Sequence, residues 1–188
     1  SQSGETADTL AAAALCKEKG IKTFSIVNVE GSSLFSDCYR NFLINAGMEI
    51  GVASTKAFTQ QVLTGRLLAE GFKPTPDYNA LSKKYSILSH RIEGLLNQES
   101  LFKTIASEIA NYNGFFFTGR GKYYPVALEG ALKLKEIAYV HAEGYAAGEL
   151  KHGPIALIDE NVVNIAIVGP ELFEKTISNI QEIKARRG

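Results

Sequence analysis

Residues 114–139, GFFFTGRGKYYPVALEGALKLKEIAY, decide the fold. Phe115-Phe116-Phe117-Thr118 is an aromatic, β-favouring run closed by Gly114 and Gly119, and it reads as a strand. From 125 to 139 the apolar residues Leu128, Leu132, Leu134, Ile137 and Ala138 recur at helical spacing, so the strand leads into an amphipathic helix. Residues 162–168 are a continuous apolar run of strand length, and 171–186 read as a last helix. Strands alternating with helices imply parallel strands joined by crossover helices, which is an α/β fold.

The same alternation precedes this stretch. Residues 5–19 read as a helix stopped by Gly20, 23–29 and 42–45 as short strands, and 55–70 as another helix. Lys73-Pro74-Thr75-Pro76 is the clearest break, and 77–96 and 99–111 follow as two amphipathic helices. The expectation is a tandem of three-layer sandwiches, parallel sheets flanked by helices. A first lobe covers 1–72, a helical connector 73–112 and a second lobe 113–188. Both lobes read as incomplete, because the first opens on a turn with no strand before it and the second stops on a helix. Residues 1–20 and 168–188 also resemble each other faintly, each running turn, acidic helix start and basic close at a glycine.

Composition sets limits on function. The chain has 188 residues, 45% hydrophobic and 21% charged, which excludes a disordered or collagen-like chain. Twenty Lys+Arg balance twenty Asp+Glu, so there is no basic field for nucleic acid or an acidic membrane surface. No apolar run approaches the ~20 residues of a membrane span, and no leader pattern opens the sequence, so a cytoplasmic location is expected. Cys16 and Cys38 fit no metal-spaced or C-x-x-C pattern and read as thiols of a reducing compartment.

Three stretches carry chemistry. Ser1-Gln2-Ser3-Gly4-Glu5-Thr6 is a polar turn entering a helix, where backbone N–H groups and the hydroxyls of Ser1, Ser3 and Thr6 suit a phosphate monoester; an ordinary helix cap at Ser3 fits equally well. Its counterpart Gly169-Pro170-Glu171 offers an acid and no hydroxyl. Residues 45–56, NAGMEIGVASTK, enter a second helix, with Ser54 and Thr55 as capping or hydroxyl-binding residues. On the helix 125–139, Glu129, Lys133 and Glu136 share one face. The following HAEGYAAGELKHGP, 141–154, reads as a small-residue-rich substrate loop. A carboxylate can carry a proton between adjacent carbons, and a histidine can open a sugar ring near neutral pH. His141, Glu143, Glu149 and His152 lack the spacing of a metal site, so no metal is expected.

SQSGETADT, NAGMEIGVASTKAFT and ALEGALKLKEIAYVHAEGYAAGELKHGP together resemble the isomerase part of the glutamine–fructose-6-phosphate aminotransferases, which is built from sugar isomerase (SIS) domains. The resemblance implies a tandem SIS fold and an enzyme converting fructose 6-phosphate and glutamine into glucosamine 6-phosphate and glutamate, with no cofactor. It implies phosphate binding by Ser1, Gln2, Ser3 and Thr6, and sugar contacts from the Val52 backbone and from Ser54. Glu136 takes the place of the carboxylate that moves the proton between C1 and C2, with Lys133 as its polar partner. His152 takes that of the ring-opening histidine, which in this family reaches in from the other subunit of a homodimer. The family's glutaminase domain carries an N-terminal cysteine that neither Cys16 nor Cys38 matches. The family's Schiff-base lysine and an upstream phosphate-loop serine also have no counterpart here. The chain by itself is therefore expected to be inactive. A non-enzymatic SIS-type phosphosugar regulator, or another phosphosugar isomerase or deglycase, is the alternative.

Overall fold

The computed structural model describes residues 1–188, which fall into two compact units, Ser1–Glu93 and Gly94–Gly188. The first unit opens with α1 (Ala7–Glu18), β1 (Phe24–Val27), α2 (Ser33–Asp37) and β2 (Arg40–Leu43). α3 (Lys56–Gly71) and α4 (Tyr78–Leu96) follow, the last turn of α4 passing into the second unit. β1 and β2 run parallel, Phe24 opposite Arg40 and Val27 opposite Leu43. Their buried face holds Ser25 and Val27, and the Ser25 hydroxyl donates to Asn41 Oδ1 across the pair at 2.6 Å. The elbow between α3 and α4 closes on one carboxylate. Glu70 is buried, takes Lys73 Nζ at 2.7 Å and Arg66 at 3.5 Å, and accepts the Asp77 N–H.

The second unit contains α5 (Glu99–Ile109), β3 (Gly114–Gly119), α6 (Tyr124–Ala138), β4 (His141–Ala146), β5 (Val162–Ile167) and α7 (Phe173–Lys184). Its sheet has the order β4-β3-β5, all parallel, with Phe116 between Glu143 and Asn164. Because side chains alternate along a strand, the three phenylalanines of β3 serve both faces. Phe115 and Phe117 pack with Ala127, Ala131 and Ala142 under α6. Phe116 points the other way, into a cluster with Leu150, Ile158 and the α7 residue Ile183. Helix, sheet and helix make three layers, as expected for an α/β sandwich.

Several local readings need correction. Residues 141–154 do not form a loop: 141–146 are strand β4, and 147–152 and 154–157 are 3-10 turns. The edge of β3 supplies a hydrogen-bonding partner, and the run alternates small residues (Ala142, Gly144, Ala146) under α6 with His141, Glu143 and Tyr145 on the opposite face. Gly144 is required by close packing, since an added Cβ would lie 2.8 Å from the Leu128 Cα. The strand expected at 42–45 lies at 40–43 and that at 23–29 at 24–27, because pairing with the neighbour sets the boundaries. The short helix α2 carries too few residues to show a period.

Candidate functional site

The residues singled out from the sequence lie in both units, each in its own setting. In the first unit, Ser1–Thr6 form a tight turn at the C-terminal end of β1, where ligands bind in open parallel sheets. The Ser1 amino group donates to Ile26 O at 3.2 Å and the Asn28 N–H to Gln2 O at 2.9 Å, which seats the turn on the strand. Gly4 has φ +73° and no room for a Cβ, which would meet the Ser32 side chain at 2.1 Å. The hydroxyls of Ser1 and Thr6 are 2.9 Å apart. Ser1 Oγ accepts the Gly4 N–H at 3.1 Å and Ser3 Oγ the Glu5 N–H at 3.1 Å.

Ser3 is therefore not the cap of α1. Thr6 holds that position, with no side-chain cap bond. The hydroxyls order the turn itself and leave the N-terminus of α1 to be satisfied by an anion or water. Glu5 reaches away to accept the Ser33 N–H at 2.8 Å, and this backbone bond holds its carboxyl below the usual range.

The segment 44–55 follows β2 at the same end of the sheet. Asn28 ties it in place: its Oδ1 accepts the Ala46 N–H at 2.9 Å and its Nδ2 donates to Gly47 O at 2.7 Å. One residue thus links the two candidate binding segments, the Ser1–Thr6 turn by its backbone N–H and 44–55 by its side-chain amide. The sequence reading missed Asn28, and an asparagine at a strand end gives no signal beyond turn propensity. Val52 is 86% exposed and Ser54 half-buried. Neither Ser54 nor Thr55 caps α3 through its side chain; the Thr55 N–H goes to Glu49 Oε1 at 2.8 Å.

In the second unit, α6 presents Glu129, Lys133 and Glu136 on one half-buried face. Lys133 Nζ lies 2.6 Å from Glu136 Oε2 and 3.5 Å from Glu129 Oε1. Burial pulls the Lys133 ammonium down, but the hydrogen bond to Glu136 and the two carboxylate charges outweigh it, so its pKa is raised. Lys133 is a fixed cation that orients Glu136 through one oxygen. His152 closes the 3-10 turn after β4, 72% exposed, with Nδ1 2.7 Å from Glu149 Oε2. This turn packs on the Phe116 face of the sheet, whereas α6 lies on the face of Phe115 and Phe117. The elements that carry Glu136 and His152 thus pack on opposite faces of the sheet.

Two further polar pairs lie in the second unit. Tyr145 donates to Glu143 Oε2, and burial together with that carboxylate pushes its phenol up to about 12. At the second turn, Glu171 is held by Lys122 at 2.6 Å. No three His, Cys, Asp or Glu side chains gather in a metal-holding group, and no helix is long and apolar enough to cross a membrane.

The chain is similar over its whole length to glutamine–fructose-6-phosphate aminotransferases. It is 49% identical to that of Vibrio cholerae over 197 residues and 48% identical to that of Escherichia coli K12 over 197 residues. It spans about a third (32%) of the length of these curated relatives. The C-terminal domain of the Francisella tularensis aminotransferase superposes with a TM-score of 0.90 at 43% identity, covering 100% of this chain and 55% of that one. A glucosamine-6-phosphate deaminase from Thermotoga maritima shares the fold alone, at TM-score 0.74 and 22% identity over 99% of this chain and 56% of that one. The SIS-domain model matches both runs of strands and helices, residues 1–71 and 108–188, and the chain belongs to the SIS domain family.

Proposed function

We propose that the chain is the sugar-phosphate isomerase part of a glutamine–fructose-6-phosphate aminotransferase, acting in the cytoplasm on fructose 6-phosphate. Residues 1–72 and 113–188 are its two SIS lobes, joined by the connector 73–112. The observation that carries the reaction is the half-buried Lys133–Glu136 contact at 2.6 Å. It engages Oε2 and leaves Oε1 to take a proton from one sugar carbon and return it to the next. A regulator that only bound a phosphosugar would have no use for that arrangement.

The remaining roles follow the same reading. Backbone N–H groups at the start of α1, with Ser1, Gln2, Ser3 and Thr6, hold the phosphate. The Val52 backbone and Ser54 contact the sugar, and His152 assists ring opening. The active form is a homodimer in which His152 serves the partner's site. The packing of their two elements, α6 and the turn 147–152, on opposite faces of one sheet supports this. A glutaminase domain elsewhere in the full-length protein supplies the ammonia. Calorimetry and crystal soaking test the assignment: fructose 6-phosphate or glucosamine 6-phosphate is expected with its phosphate at Ser3 and its sugar near Ser54. Saturating ligand that leaves both positions empty refutes it.

A further inference from the structure

The 3-10 turn that carries His152 is held far more firmly than its exposure indicates. Leu150 is 0% exposed in the Phe116 cluster, and Lys151 Nζ bonds Glu182 Oε1 of α7 at 2.8 Å. The buried Asn179 donates to the other Glu182 oxygen at 3.2 Å and accepts Arg120 Nε at 2.9 Å. The Arg120 guanidinium lies against Gly148. Three successive parts of the turn are therefore pinned to β3, its following residue and α7. A 3-10 turn eclipses residues i and i+3, so pinning the backbone stacks Glu149 on His152.

An exposed pair of this kind adds little to stability, so that contact has little value as a brace. Its consequence is chemical, because the hydrogen bond made by one ring nitrogen decides which nitrogen carries the proton. We propose that Glu149 is a positioning residue for His152: it accepts the Nδ1 proton, so that Nε2 is the atom presented to the sugar. His141 makes the contrast. Its Nε2, not its Nδ1, faces Glu143 at 3.5 Å, and that carboxylate also accepts from Tyr145. The proposal rests on the ring-opening role read for His152 above, while its tautomer component is measurable without any sugar.

The test has two arms. Nitrogen-15 NMR of histidine-labelled full-length protein at about pH 8.5, above the ordinary histidine range, reads the ring tautomers, with His152→Asn for assignment. His152 is expected as the Nδ1–H form, shifting toward Nε2–H in Glu149→Ala and retained in Glu149→Gln, whose carbonyl still accepts. His90 and His141 should not move. In the full-length protein, Glu149→Ala should lower kcat on the order of ten-fold with KM little changed, and Glu149→Gln should recover most of it. An Nε2–H ring in the wild type, an unchanged tautomer in Glu149→Ala, or an unchanged kcat overturns the proposal. A wild-type protein that turns over no fructose 6-phosphate overturns the isomerase reading and the kinetic role with it, even if the NMR shift is seen.

Discussion

Glu136 is where a single atom's replacement separates chemistry from binding. Glu136→Gln keeps the shape of the side chain and its contact with Lys133 while removing the proton carrier. Isomerisation should fall by at least about 10²-fold, with calorimetric affinity for fructose 6-phosphate nearly unchanged; normal turnover would take Glu136 out of the mechanism. Tyr145 gives a prediction in pH. Its phenol is raised from about 10 to about 12 by burial and by Glu143. The folded state therefore keeps a proton that the unfolded chain has lost, so the stabilisation is complete below about pH 10 and disappears as pH climbs to about 12. Thermal melts should show the wild type losing its advantage over Tyr145→Phe across that alkaline window, and parallel curves would contradict it. At this scale the sequence was informative about helical faces: Glu129, Lys133 and Glu136 meet as their spacing says. It could not reveal Asn28, nor pair Glu149 with His152, because those contacts are set by a strand end and by a 3-10 turn that leave no periodic trace.

At the level of elements, β4 shows why a run of small and polar residues misleads. Composition marks it as a loop, yet the edge of β3 and the floor of α6 make it a strand. Gly144 is the point of contact, with the Leu128 backbone 2.8 Å from where a Cβ would stand. Backbone cannot move aside as a flexible side chain can, so Gly144→Ala should destabilise by about 1–3 kcal/mol; a denaturant midpoint equal to the wild type's would show that strand and helix can separate freely. The α3–α4 elbow behaves differently. The Lys73 hydrogen bond, then the Asp77 N–H, hold the Glu70 carboxyl low against its burial. A depressed acid contributes its stability above the unfolded pKa near 4.5 and loses it as pH falls through the folded value. Glu70→Gln should thus lower the melting temperature at neutral pH and flatten the wild type's decline below about pH 4.5. An undiminished acid decline in the variant would place the loss elsewhere.

Across the molecule, the two units differ in how they store stability. Both apolar clusters, around Phe115 and Phe117 and around Phe116, belong to the second unit, whereas α1 buries no residue and the first unit's sheet has two strands. Hydrogen exchange should follow this division, with the amides of 115–118 protected longest and those of β1 and β2 opening earlier; the reverse order would mean that these clusters do not govern stability. The alternation of strands and helices was legible at β3 and β5, where buried parallel strands are written as apolar runs, and illegible at β4 and α2. The positions of strand ends were not, because they depend on the neighbouring strand.

Asn28 also bears on how the first unit answers a ligand. Its N–H holds Gln2 O while its side chain holds residues 46 and 47, so the Ser1–Thr6 turn and the 44–55 segment hang from one residue. A displacement of either segment strains the bonds that hold the other, and the two settle as a pair.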